Sequence, residues 1–287
     1  MYAQYHYACP RSLSAALRLL TSDPLATPYC GGTDVLVKLR SGRIKASMLV
    51  DMKGLVELGG ITESADTLSI GATCSFSQIS RSPLIRRWAG SLADAADAVG
   101  SVQIRNQASL AGNICTASPA GDGLTAAWGL SADLLLRGPY GERLLPLSDF
   151  ISGPGRTALL PGEIISRILI AKQQWDAQFF FKNGRRKALA ISVVNGVVAL
   201  AFDGRGRVER CRVAIGSCGP TPLRISRAEA ALTGRQINEN LADEVAHIVA
   251  AEVRPISDLR AGADYRAYLA GQQVKRHLLR CKKESCQ

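Results

Sequence analysis

The strongest constraint in this sequence is a pair of glycine-bearing turns, "CGGTDVLVKLRSG" at Cys30–Gly42 and "SLAGNICTASPAGDG" at Ser109–Gly123. Each is flanked by apolar runs and by hydroxyl and carboxylate side chains. Glycine tolerates φ > 0 and has no Cβ to hold a ligand away, so each turn can aim several backbone N–H groups at one point. Two such turns, about eighty residues apart, point to a phosphate-bearing ligand held between two parts of one domain. Neither fits the Rossmann or Walker fingerprint. A nucleotide site here belongs to another architecture.

The chain has 287 residues, 47% apolar and 21% charged, enough for two or three small domains with a sizeable core. No apolar run approaches the roughly 20 residues of a membrane helix. The opening "MYAQYHYACP" has neither a basic start nor an apolar core, which argues against a secretory signal. A cytoplasmic protein with reduced thiols is therefore expected. The eight cysteines (Cys9, Cys30, Cys74, Cys115, Cys211, Cys218, Cys281, Cys286) include no C-x-x-C pair, so no metal or iron–sulfur cluster is expected. His6, His247 and His277 lie far apart and read as surface or capping residues. The formal net charge is +11, with basic clusters at Arg185–Lys187, Arg205–Arg212 and Lys275–Lys283. No helix-turn-helix, RNA-binding aromatic pattern or zinc-finger spacing accompanies them. They read as solvated faces or a protein-docking surface, not a nucleic-acid site.

Along the chain, Ser12–Leu20 reads as a helix capped by Ser12. Thr27–Tyr29, Ala46–Asp51, Thr67–Ile70 and Asp133–Arg137 read as strands, and Leu92–Val99 as a helix. Alternating short elements to about residue 170 indicate an α+β or α/β unit. A break falls near Gln173–Asp176. Beyond it, an apolar strand, the turn "DGRG" and a second strand signal a hairpin. Residues 226–235 and 238–252 read as helices, and 258–280 as one basic amphipathic helix or two. The division is thus 1–175, itself split near Asp51–Gly54, and 176–287.

Four motifs then occur in order: "CGGTDVLVKLRSG", "IGATCSFSQI", "GSVQIRNQASLAGNICTASPAGDG" and "FFFKNGRRKALAISVV". Together they resemble the FAD-binding (medium) subunit of the molybdenum hydroxylases, a family that includes bacterial xanthine, nicotinate and carbon monoxide dehydrogenases. The resemblance covers nearly the whole chain. It implies an α+β fold: a two-part FAD-binding domain of the vanillyl-alcohol-oxidase (PCMH) type, followed by a smaller α+β C-terminal domain of the CO-dehydrogenase-flavoprotein type.

The resemblance assigns Thr27, Pro28, Tyr29, Cys30, Gly31, Gly32, Thr33 and Asp34 to a first pyrophosphate loop. By the residues alone, Thr33 and Asp34 also suit a tight strand-to-helix turn as capping groups. The second loop is Ser109, Leu110, Ala111, Gly112 and Asn113. Ala111 departs from the family's glycine there and requires a negative φ. Gln103, Arg105 and Asn106 match the family's "QIRN", with Arg105 and Asn106 expected to brace the loop. Asp122 matches an acidic residue that contacts the nucleotide half of FAD, or serves as a helix N-cap ahead of Gly123. Ile165 and Lys182 are implied beside the isoalloxazine, Lys182 as a cation favouring reduced flavin. An exposed strand-end lysine is the alternative.

The implied function is electron transfer. A substrate is hydroxylated at molybdenum in a molybdopterin-binding large subunit. Electrons pass through the 2Fe-2S clusters of a small subunit to FAD here, and on to NAD⁺ or another acceptor. Xanthine or another purine is the first expectation for the substrate, with nicotinate, another N-heterocycle or carbon monoxide as alternatives. A dimer of heterotrimers is the expected assembly. No residue of this chain is expected to be catalytic in the hydroxylation. A self-sufficient flavin oxidoreductase, or a scaffold that has lost FAD, are the readings from other classes.

Overall fold

A computed structural model describes residues 5–186 and 189–284. Of the basic clusters and tail thiols, Lys187, Cys286 and the side chains of Lys282 and Lys283 lie outside the described residues.

The first strands build a small parallel sheet. β1 (His6–Ala8) and β2 (Ala26–Tyr29) flank β3 (Met48–Asp51), with His6 opposite Met48 and Thr27 opposite Leu49. Parallel neighbours need crossovers, and α1 (Leu13–Ser22) and α2 (Val35–Arg40) supply them. Ser12 caps α1 by accepting the Ala15 N–H at 3.2 Å. Leu13, Ala16 and Leu20 form its buried stripe, the spacing of one helix face.

The next unit is entered through β4 (Ile61–Glu63) and β5 (Thr67–Gly71). Six helices follow: α3 (Phe76–Arg81), α4 (Pro83–Trp88), α5 (Gly90–Ala98), α6 (Val102–Gln107), α7 (Leu110–Thr116) and α8 (Asp122–Gly129). The chain then runs through β6 (Asp133–Gly138), β7 (Gly141–Pro146), α9 (Leu147–Phe150), β8 (Ile151–Gly153), β9 (Arg156–Thr157) and β10 (Ile164–Ala171). The sheet order is β4-β5-β10-β6-β7, antiparallel throughout. Ser75 closes a capping box on α3: its hydroxyl accepts from Gln78 N–H while the Gln78 amide oxygen accepts from Ser75 N–H. That fixes Phe76, wholly buried, at the centre of a core it stabilises by about 1.5–3 kcal/mol relative to exposure.

The last unit pairs β11 (Ala177–Gly184), β12 (Ser192–Phe202), β13 (Val208–Gly216) and β14 (Leu223–Arg224) in one antiparallel sheet. The "DGRG" turn joins β12 to β13, where Asp203 Oδ1 accepts from the N–H groups of Arg205 and Arg207, both at 2.9 Å. α10 (Ser226–Leu232), α11 (Glu239–Glu252) and α12 (Ala263–Glu284) complete the chain, so residues 258–280 hold one long helix. β12 is buried on both faces. Val197 joins the core shared with α5 and α8, while Val194, Val198 and Leu200 join the core under α11 and α12. A strand covered on both sides reads as a continuous apolar run, as "SVVNGVVALAF" does. The architecture is α+β, as expected.

Three histidines take three different settings. His6 is exposed, and His247 Nδ1 lies 2.8 Å from the Asp243 carbonyl on an exposed face. His277 departs from the surface expectation. It stacks on Phe181 at 5.5 Å and 15°, and burial, with Arg276 and Arg280 nearby, pulls it down to about 4. A lone histidine in a basic helix gives no signal of that stack, because Phe181 belongs to a strand almost a hundred residues earlier.

Candidate functional site

The first glycine loop leaves β2 and turns into α2. Gly32 has φ +71°, and a Cβ there would stand 2.7 Å from the Tyr29 ring. The position therefore needs glycine twice over, for its left-handed backbone and for its space. Gly31 needs it for another reason: a Cβ there would meet the Gln107 carbonyl oxygen at 2.0 Å. The first loop is thus pressed against the end of α6. Asp34 precedes α2 without a side-chain cap. Instead its Oδ2 lies 3.1 Å from the Thr116 hydroxyl, which also reaches the Gly112 carbonyl at 3.0 Å.

The second glycine segment is a helix start, not a turn. Ser109 is the N-cap of α7, and its hydroxyl accepts from Gly112 N–H at 3.1 Å. Ala111 is helical with no left-handed strain, so the departure from glycine costs the backbone nothing. The helical twist turns Leu110 into the core, where it is fully buried. Ala117, at φ 47°, ends the helix. Asn113 Oδ1 then accepts from Leu124 N–H at 2.9 Å and ties α7 to the first turn of α8. Arg105 donates to the Val99 carbonyl at 3.1 Å, and Asn106 accepts from Ser77 at 2.5 Å. Both brace α6 against its neighbours.

Between these segments lies a cavity of about 570 Å³, within the range of small-molecule sites. Thr27, Pro28, Tyr29, Cys30, Gly31, Gly32, Thr33, Asp34, Ser109, Ala111, Gly112, Asn113 and Ile165 all line it. Ile164 and Ile165 both line the cleft at the start of β10, just ahead of the register shift between Ile165 and Arg167. The lining also includes the apolar residues Leu58, Phe76, Val99 and Ile104. The hydroxyl-bearing Thr33, Ser109 and Thr116 line it as well. Burial pushes the Cys30 thiol up, only partly offset by Ser109. Glu163 also lines the cleft, but Arg143 grips it with two hydrogen bonds of 2.8 Å and holds it below the usual carboxylate range.

Three expected residues do not line the cleft. Leu110 is one. The others, Asp122 and Lys182, spend their polar atoms on each other, Lys182 Nζ to Asp122 Oδ2 at 2.6 Å. Asp122 is buried and also accepts from the Ser192 hydroxyl at 2.6 Å and Asn195 Nδ2 at 2.7 Å. Lys182 further donates to the Ala98 carbonyl at 2.8 Å. Asp122 is not a helix N-cap either: Gly121 holds that position and Asp122 opens the helix. The pair joins α8 to β11 and β12, one residue behind the wall that Val99 presents to the cleft. Lys182 is half-buried in that junction rather than an exposed strand-end lysine.

Sequence reasoning passed over Lys38, Cys115, Thr116 and Glu163 as lining residues. Lys38 and Thr116 stand inside the quoted glycine motifs, one turn beyond the residues singled out. Glu163 carried no signal, since its partner Arg143 is twenty residues away on another strand. Among the described residues no cluster of His, Cys, Asp and Glu has the geometry to hold a metal ion, and no helix is long and apolar enough to cross a membrane.

The sequence pattern described as "FAD binding domain in molybdopterin dehydrogenase" matches residues 3–172. That of the "CO dehydrogenase flavoprotein C-terminal domain" matches residues 179–281. The xanthine dehydrogenase FAD-binding subunit of Escherichia coli O157:H7 is 31% identical over 278 residues, covering 96% of this chain and 94% of that one. The nicotinate dehydrogenase FAD-subunit of Eubacterium barkeri is 36% identical over 236 residues, 80% of each. In three dimensions, a chain of the carbon monoxide dehydrogenase from Hydrogenophaga pseudoflava superposes with a TM-score of 0.91 at 29% identity, over 97% of both chains. The four motifs, the fold and these likenesses agree: the chain belongs to the FAD-binding subunits of the molybdenum hydroxylase family, and its cofactor is FAD.

Proposed function

We propose that the cleft is the FAD site, with Thr27–Asp34 and Ser109–Asn113 holding the pyrophosphate and Ile165 flanking the isoalloxazine. The single observation that carries this reading is the convergence of both glycine segments and Ile165 on one cavity. The donor chemistry fits a flavin dinucleotide. Helix starts leave first-turn N–H groups without intrahelical partners, and α2 and α7 both begin at the cleft. Hydroxyls line the same cleft, and its apolar residues suit a fused ring. Asp122 and Lys182 then act from behind the wall, fixing α8 and β11 relative to α5.

When bound, FAD supplies two-electron chemistry between the 2Fe-2S clusters of a small subunit and NAD⁺ or another acceptor. This chain's own residues bind the cofactor, keep it oriented and shield its apolar end. Substrate oxidation belongs to a molybdopterin-binding large subunit, within a dimer of heterotrimers in the cytoplasm. Xanthine or another purine is the proposed substrate, supported by the likeness to the Escherichia coli subunit over nearly the full chain. Nicotinate is the second reading, favoured by the 36% identity to the Eubacterium barkeri subunit.

The test begins with the flavin released from the purified chain, expected to be FAD and not FMN. The chain is then co-expressed with candidate molybdopterin and iron–sulfur subunits and assayed with xanthine and nicotinate. The complex oxidises its substrate and the isolated chain oxidises neither. Oxidation by the chain alone, free of molybdenum protein, would establish a self-sufficient flavoenzyme instead.

A further inference from the structure

Lys38 is the one basic residue that lines the cleft among the described residues. It sits on α2, one turn after Asp34, with its N–H bonded to the Asp34 carbonyl at 2.9 Å. The two side chains therefore share a helix face. Yet Lys38 Nζ makes no ion pair or hydrogen bond among the described residues, although the residue is half-buried. The other charged groups nearby are committed. Glu163 is held by Arg143. Lys53 donates to Gln107 Oε1 at 2.6 Å and lies outside the lining. Asp34 accepts from the Thr116 hydroxyl at 3.1 Å.

A cleft-lining ammonium with no counter-ion within the described residues is poised for an anion from outside the chain. An anionic ligand entering here also meets Asp34, so a cation on the same helix face is needed to make the local field favourable. We infer that Lys38 is the counter-ion for the pyrophosphate of FAD and discriminates phosphorylated from unphosphorylated ligands, an inference that rests on the cleft being the FAD site.

The test uses the full chain freed of flavin, titrated with FAD by fluorescence quenching at low and high salt. Lys38→Met is expected to weaken FAD about tenfold, the scale of one charge-assisted contact. Lys38→Glu weakens it further, and Lys38→Arg stays near wild type. The salt dependence of the FAD Kd becomes shallower in Lys38→Met. The Kd of ADP, obtained by competition and corrected for the variant's own FAD Kd, rises in that variant, while that of adenosine does not. Unfolding of the flavin-free variants matches wild type. Wild-type FAD affinity in Lys38→Met would overturn the assignment, as would equal loss of ADP and adenosine. Full FAD binding by Gly32→Val would instead overturn the cleft reading on which the assignment rests.

Discussion

The backbone of Gly31 lies so close to the carbonyl of Gln107 that a Cβ on residue 31 would stand 2.0 Å from the oxygen. Lys53 Nζ fastens the same residue through the Gln107 side chain at 2.6 Å. The two ligand-facing segments are thus docked on one another, and the cleft they enclose is set by main-chain contact. Gly31→Ala forces backbone apart, because no side-chain rotation relieves a clash with a carbonyl. Its expected cost is about 1–3 kcal/mol, with loss of flavin from the purified protein. Gly112→Ala is the control, since its new Cβ meets only the Ser109 hydroxyl at 3.2 Å. Thermal melts of both variants decide the matter. Equal melting would show that the two segments are not rigidly docked.

Gly32→Val tests the left-handed turn. An L-residue at φ +71° costs about 1–2 kcal/mol, more when β-branched, and the new side chain strikes the Tyr29 ring. The purified variant is expected to be colourless and to release no FAD. A yellow variant with full flavin content would make the turn structural only.

The Asp122–Lys182 pair predicts strong coupling. Asp122 is buried and satisfied by Lys182, Ser192 and Asn195. Removing one partner strands the other charge, so Asp122→Ala is expected to cost about 3–5 kcal/mol. Lys182→Met leaves the carboxylate with two neutral donors and also destabilises. The double variant should cost less than the sum, by about 0.5–3 kcal/mol. Urea melts of the four species measure it, and strict additivity would mean that the contact contributes nothing specific.

His277 predicts a pH dependence of stability. Its folded value lies near 4 against an ordinary 6.5 because burial disfavours the imidazolium. Between those values the unfolded chain binds a proton that the folded chain does not. Stability therefore falls as pH drops from about 6.5 toward about 4, and is not lowered by this group above that window. His277→Phe keeps a ring on Phe181 and should flatten the melting-temperature profile there. An unchanged slope would assign the acid sensitivity to other groups.

Much of the fold was legible because its signals are local. The cap at Ser12 with Leu13, Leu17 and Leu20, the "DGRG" turn and the apolar run from Ser192 each declare an element within a dozen residues. That β12 is buried on both faces came only with the tertiary structure. What was misread is where one local pattern supports two geometries. "SLAGN" suits a glycine turn and also an N-capped helix. The Ser109 hydroxyl on Gly112 N–H decided for the helix, which is why Leu110 faces the core.

By itself the sequence determined the pieces of the cleft. Glycines 31 and 32 permit close approach and a left-handed turn, and Ser109 starts a helix, because backbone conformation and capping depend on neighbours along the chain. Only the tertiary structure decided how the pieces are used. It set Gly31 against Gln107, brought Ile165 to the cleft, and left Lys38 there with no ion pair or hydrogen bond among the described residues. It also drew Asp122 and Lys182 out of the lining and onto each other. Those outcomes turn on contacts between residues some sixty to eighty positions apart. Whether a charge faces a ligand or a counter-ion depends on which surfaces packing brings within a few ångströms, and the order of residues along the chain does not encode that distance.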